Sequence, residues 1–303
     1  MATTQPETSA LSRATVFDDR QTQRRSELSR SWRRFKRYRP GVAGGIVIIL
    51  LVIMAVFAPI LAPYSPTEVN TRRLGEGPSW SHPLGFDGIG RDILSRTIYG
   101  ARVALMVGII STVIAITIGV LVGATAGYFG GWVDSLLSRI TDTLMAFPLL
   151  VLLVTLAAVF SPSLKTVIVV IGVTVWASYA RIVRADVLSL RERDFVMAAR
   201  AAGANDIRII LRHVVPNVLG PVIVIATLGI GGIIILEAAL SFLGLGVQPP
   251  TPSWGGDLSS ARQFIRIYPH MAIAPGMMIV ITVLAFNLLG DGLRDALDPR
   301  QRE

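Results

Sequence analysis

"VALMVGIISTVIAITIGVLVGATAGYFGGWV", residues 103–133, runs through thirty-one positions without Asp, Glu, Lys or Arg. A helix that crosses a bilayer needs about 20 mainly apolar residues, so this stretch is long enough to span with residues to spare. Five other charge-free runs flank it: Pro40–Thr67, Thr143–Leu164, Thr166–Ala180, Val214–Leu236 and Ile267–Gly290. The fourth of the six in chain order, Thr166–Ala180, is short, but Arg181 and Arg184 can snorkel to the headgroups and extend it. Of the 303 residues 52% are hydrophobic and 16% charged, against about 25% charged in soluble domains. Mean hydropathy is +0.58. The apolar residues fall in blocks, which predicts an all-α integral membrane protein. Its six transmembrane helices are expected near 43–62, 103–127, 136–159, 164–183, 217–241 and 271–290.

Basic residues orient the chain. The first 43 residues hold ten Lys or Arg against four acids, and 181–216 holds seven against four. The 64–97 loop is balanced at four against four. The positive-inside rule then places the N- and C-termini and the 181–216 segment in the cytoplasm. The net charge is +9, much of it in "RRSELSRSWRRFKRYRP", residues 24–40. Directly before a membrane span, that run points to anionic lipid headgroups, not nucleic acid. The first apolar segment follows about forty polar residues and is too long for a signal-peptide core of roughly 7–15 residues, so it reads as an uncleaved anchor. There is no cysteine, hence no disulfide framework or thiol chemistry. His82, His213 and His270 fall in different segments, and no metal site is expected.

Within the long run, Gly119, Gly123 and Gly127 recur every four residues on one helix face, a pattern for close helix packing. "RDILSRTIYGA" at 91–101 reads as a short interfacial helix leading into the second span. The 244–256 stretch, "GLGVQPPTPSWGG", reads as irregular. Two acids lie in or beside spans, where charge costs about 2.5–3.5 kcal/mol at a helix centre. They are Glu237, near one end of the fifth, and Asp142, in the first turns of the third. Each either faces a polar cavity or pairs with a cation on a neighbouring helix, or lies near enough to the interface to be hydrated. Both readings are open.

Catalytic chemistry is not signalled. No GxxxxGK[ST] phosphate loop occurs, and neither lysine, Lys36 or Lys165, follows a glycine. The chain is expected to bind no cofactor and to have no catalytic residues. The most informative segment is "MAARAAGANDIRIILRHVVP", residues 197–216. Ala198, Ala199, Ala201 and Ala202 are strong helix formers with almost no side-chain bulk, fit to lie deep in a partner's groove. Gly203 can end that helix and turn the chain. Asn205 or Asp206 can cap a second helix. Its Ile207, Ile210, Leu211 and Val214 fall at i, i+3, i+4 and i+7 and can pack back on the membrane domain until Pro216 closes it.

The order Ala198-Ala199, Gly203, Val215-Pro216 resembles the EAA-loop signature of permease subunits in bacterial ABC importers. Met197 stands at the motif's usual Glu, and His213 where an aliphatic residue is common. "HPLGFDGIGRDILSRTIYGAR" (82–102), "LSFLGLGVQPPTPSWG" (240–255) and "LAFNLLGDGLRDALDP" (284–299) are similar to the dipeptide, oligopeptide and nickel class, specifically its second, C-type subunit. The resemblance implies a type I importer permease fold, MetI-like, in the bacterial inner membrane. It implies a second permease subunit as heterodimer partner, two cytoplasmic ATPases that carry ATP and Mg, and an extracytoplasmic substrate-binding protein. Residues 1–42 would be a basic cytoplasmic tail, 43–97 the first span with its external loop, and 98–303 the permease core. The coupling segment would be 194–216, with Ala198, Ala199, Arg200, Ala201, Ala202, Gly203 and Ala204 at the ATPase. Peptide is the expected substrate, nickel or glutathione the alternatives. A gradient-driven transporter would show more intramembrane charge on broken helices in repeated halves, and a passive scaffold would not need the Gly203 hinge.

Overall fold

Asp92 sets where the longest helix begins. Its backbone is extended, and its Oδ2 accepts a hydrogen bond from the Ser95 amide at 2.7 Å, so it caps a helix running Ile93–Phe129. These relations come from a computed structural model, which describes residues 32–297; most of the basic N-terminal tail lies outside them. In chain order the helices are α1 (Arg39–Val56), α2 (Ala58–Leu61), α3 (Ile93–Phe129), α4 (Gly131–Ala146), α5 (Leu149–Val159) and α6 (Leu164–Leu190). There follow α7 (Asp194–Ala201), α8 (Asp206–Ile209), a π-turn at Ile210–Val214, α9 (Val215–Phe242), α10 (Trp254–Ala261) and α11 (His270–Leu297). Five helical stretches are long and apolar enough to cross a membrane, and α4 with α5 makes a sixth if the bent pair counts as one span. The described residues form an all-helical bundle, as the charge-free runs require.

Three elements depart from the sequence expectation. The second span does not follow a separate interfacial helix, because residues 93–101 are the first turns of α3 itself. At about 1.5 Å per residue its 37 residues reach about 55 Å. The third span, expected near 136–159, is broken: α4 and α5 meet at 90°. Pro148 is the cause. It has no amide to donate, and it holds Phe147 extended at φ −82°, ψ 138°. The 244–256 stretch is not wholly irregular, because Ser253 caps α10 within it, its Oγ accepting from the Gly256 amide at 3.1 Å.

α3 and α6 are the closest pair, and the glycines make that possible. A Cβ added at Gly123 would lie 2.5 Å from the Ala180 carbonyl oxygen; at Gly119 and Gly127 it would meet Tyr179 Cβ and the Arg184 carbonyl oxygen at 2.7 and 2.8 Å. The two backbones thus touch along one face, and a larger residue would force them apart. Apolar clusters pack along this seam and toward its two ends. One, with Val107, Leu153, Ile171 and Leu240, joins α3, α5, α6 and α9. Another, with Tyr128, Val183, Val187, Val196, Ile209 and Val214, gathers at the far end of α3, under α7.

At the opposite end of α3 the 63–92 loop is held by buried polar contacts. His82 Nδ1 lies 2.9 Å from Asp92 Oδ1, and Tyr64 stacks on the His82 ring at 4.3 Å. Arg91 Nε donates to Asp87 Oδ2 at 2.6 Å. Arg96 Nε donates to Asp257 Oδ1 at 2.9 Å and its Nη1 to the Pro66 carbonyl at 3.0 Å, while Trp254 Nε1 donates to the Thr97 carbonyl at 2.9 Å. Burial pushes the Asp257 carboxyl above the usual carboxylate range, and the Arg96 guanidinium pulls it back down. Both side chains are nearly out of solvent, so the pair is costly to break on one side only. Arg96→Met is expected to destabilise the chain by about 3–5 kcal/mol, and the double change Arg96→Met with Asp257→Leu should recover most of that. Thermal unfolding in detergent checks both; equal losses for the single and double variants would contradict the pairing.

Candidate functional site

The α7 segment is built around one inward stripe. Val196 is fully buried, and Ala199 and Ala204 pack partly against the same cluster. Arg193 precedes α7 with an extended backbone, and the helix stops at Ala202–Gly203, where φ reaches +79°. That left-handed turn suits glycine, since L-residues pay roughly 1–2 kcal/mol there. A Cβ at Gly203 would meet nothing within 4 Å, so only the backbone conformation selects glycine. Phe195, Met197, Ala198, Ala201, Ala202 and Gly203 are exposed, and Ala198 and Ala201 lie opposite Val196 on the helix. The structure thus divides the expected coupling residues: Ala198, Ala201, Ala202 and Gly203 face outward, while Ala199 and Ala204 turn toward the core.

After the turn, Asn205 Oδ1 accepts from the Arg208 amide at 2.8 Å and starts α8. Asp206 therefore sits in the first turn, next to the cap, not at it. The apolar stripe differs from the expected one. Ile209 and Val214 are fully buried, whereas Ile207 and Leu211 are exposed. The π-turn at Ile210–Val214 is the reason, because its i to i+5 bonds bring residues five apart onto one face. Pro216 does not close the helix. It lies in the first turn of α9, where a missing amide is tolerated, and Asp206–Phe242 runs on as one helical stretch. The Asn217 side chain donates to the His213 carbonyl at 2.6 Å, giving that oxygen a partner beside the proline.

Tyr128, in the last turn of α3, is the residue that sequence reasoning missed. It is almost fully buried; its hydroxyl donates to Asp206 Oδ1 at 2.7 Å, and the Arg200 guanidinium lies 5.4 Å from its ring centroid. Its position one residue beyond Gly127 was the signal available, but nothing in helical periodicity says which polar groups will meet it. Nearby, Arg191 Nη1 donates to the Gly127 carbonyl at 3.4 Å, and Arg184 Nη2 donates to Asp134 Oδ2 at 2.7 Å.

The two acids singled out in sequence lie apart from α7 and from each other. Asp142 accepts from Arg181 Nη2 at 2.7 Å, both side chains more than half exposed. It borders a cavity of about 190 Å³ between α3, α4 and α6, shared with Gly123, Ser138, Thr141, Arg181 and Arg184. Glu237 is buried in α9; Ser241 Oγ donates to its Oε1 at 2.7 Å, and the Val247 amide donates to that same Oγ at 3.1 Å. No cation reaches Glu237 among the described residues.

Known proteins are similar to this chain in sequence and in fold. A dipeptide transport system permease protein, DppC, of Alkalihalophilus pseudofirmus is 44% identical over 272 residues, 90% of each chain. The glutathione transport system permease protein GsiD of Pectobacterium atrosepticum is 43% identical over 270 residues, 89% of this chain and 90% of that protein. Among solved structures, the inward-facing MetNI methionine ABC transporter aligns with TM-score 0.56 at 19% identity, covering 68% of this chain and 98% of the other. An amino acid ABC transporter aligns with TM-score 0.51 at 15% identity, over 65% and 92%. Residues 26–78 match the N-terminal transmembrane domain of oligopeptide transport permease C. Residues 115–303, more than half the chain, match a second family model, and the protein belongs to that family, the inner membrane components of binding-protein-dependent transport systems.

Proposed function

We propose that this chain is one of two permease subunits of an ABC importer for peptides, and that α7 is its contact with a cytoplasmic ATPase. The observation that carries the reading is α7 itself: a short helix that turns the small side chains of Ala198 and Ala201 outward between exposed Phe195 and Met197, fixed to the bundle from behind by Val196 and Arg200. A small-sided helix can enter a groove that larger side chains would close. Relatives named for dipeptide and glutathione transport, at similar identity over about nine-tenths of the chain, support a peptide substrate. Glutathione, itself a tripeptide, is the second reading. In this assignment α7 and both termini are cytoplasmic, the 63–92 loop and α10 face outward toward a binding protein, and ATP and Mg belong to the ATPases.

ATP and the loaded binding protein would each favour one conformation of the pathway, and are therefore reciprocally coupled through it. The test is transport by the complex purified gently from native membranes through a C-terminal tag and placed in liposomes. ATP-dependent uptake of labelled dialanine, or of labelled glutathione, is expected only when P-loop ATPases co-purify. Uptake driven by an ion gradient in liposomes holding this chain alone would refute the assignment.

A further inference from the structure

The chain turns at Gly203 between α7 and α8; backbone bonds close the turn, the Gly203 amide to the Arg200 carbonyl at 3.0 Å and the Ala204 amide to the Ala199 carbonyl at 3.1 Å, and stop short of α8. A push on α7 would then be absorbed at the hinge unless something spans it. Tyr128 spans it. Its ring faces Arg200, in the last turn before the hinge, and its hydroxyl binds Asp206, in the first turn after it. Asp206 opens the helical stretch that continues through α9 to Phe242. Tyr128 itself lies in the last turn of α3, whose other end carries the Asp92 cap and the Arg96–Asp257 pair. One side chain therefore joins α7, the start of the long Asp206–Phe242 helix, and the helix that reaches the opposite face of the bundle.

We infer that Tyr128 is a positioning residue through which displacement of α7 is passed to α3 and α9. This rests on the reading that α7 docks on an ATPase. Apolar contacts such as those of Val196 and Ile209 hold surfaces together but let them slide, because dispersion is not directional. A hydroxyl bonded to a carboxylate is short and directional. The hydroxyl, not the ring, is thus the part of Tyr128 that fixes the angle across Gly203.

Tyr128→Phe keeps the ring, its burial and the stacking of Arg200 on its face, and removes the hydroxyl's bond to Asp206 together with its polar contact with Arg200. In the purified complex reconstituted with its binding protein, the ATPases should co-purify at the wild-type ratio and hydrolyse ATP at the wild-type rate. Uptake per ATP, read with whichever of labelled dialanine and glutathione the wild type transports, should fall about tenfold, the size expected for a hydrogen bond to a charged group. Asp206→Ala should bring a loss of similar size, and the double variant should be no worse than Tyr128→Phe, in which the bond between the two residues is already gone. Asp206→Asn retains an acceptor and should restore most of the coupling. Unchanged uptake per ATP in Tyr128→Phe, losses that add in the double variant, or ATPases lost together with uptake would each overturn this role. A wild-type chain that brings down no ATPase would overturn the docking reading beneath it, which makes the two failures distinguishable.

Discussion

Ala201→Trp is expected to leave the chain inserted and as thermally stable as the wild type while its hold on the ATPases weakens about thirtyfold or more. The argument is one of position. Ala201 points away from Val196 and is exposed, so the fold loses no contact and gains no clash when the side chain grows. An effect on the complex must then arise at whatever sits on that face. Loss of a central, well-packed contact costs about 2 kcal/mol or more, which is the thirtyfold stated. Gly203→Glu should also uncouple transport, but its φ of +79° adds backbone strain of roughly 1–2 kcal/mol, so it reports on two things at once. Ala199 is less suitable still, being packed partly against the core. Co-purification ratios and a thermal unfolding curve measure the two expectations; unchanged ATPase binding by Ala201→Trp would remove α7 from the interface.

Gly123→Val should have the opposite signature, loss of the fold with no specific effect on docking. The first added atom already lies 2.5 Å from the Ala180 carbonyl oxygen and 2.9 Å from Val183 Cβ, both on rigid parts of α6. Neither neighbour is the free end of a long side chain, so the helices themselves must separate. Overpacking of this kind costs roughly 3 kcal/mol or more, with the Gly119 and Gly127 contacts strained in turn. The control is Gly232→Ala in α9, where an added Cβ meets nothing within 4 Å and stability should hold. Thermal midpoints in detergent separate the two; equal midpoints would mean that the α3–α6 seam is looser than its distances say.

Much of this architecture was legible in the residues, and the reasons are physical. Water-excluding solvent demands long charge-free helices, so the runs beginning at Pro40, Val103, Thr143, Thr166, Val214 and Ile267 announced a six-span reading. Counting charges is blind to backbone chemistry, however. It passed over Pro148, whose break at 90° was written in the sequence, and it began the second span at Val103, although Asp92 was a visible cap. The inner stripe of the α8–α9 approach was only half recoverable from a period of 3.6: Val214 and Ile210 turn inward as expected, but beside the π-turn Ile209 is buried while Ile207 and Leu211 are exposed. Contacts between distant segments were the least legible. Neither the 161-residue separation of Arg96 and Asp257 nor the 78 residues between Tyr128 and Asp206 leaves any local pattern. The alanines and Gly203 stood out for the reverse reason, since Ala198, Ala201 and Ala202 are small yet exposed and serve no packing within the chain.

The absence of cysteine from the sequence makes the central claim directly testable. Ala201→Cys would carry the only thiol in the chain, on the outward face of α7. The decisive measurement is crosslinking from that thiol in native membranes, followed by mass spectrometry of the product, with intact cells probed in parallel by a thiol reagent that does not cross membranes. The account predicts a crosslink to a P-loop ATPase and no labelling in intact cells. Labelling from outside, or crosslinks formed only with lipids and membrane proteins, would place α7 elsewhere and contradict it.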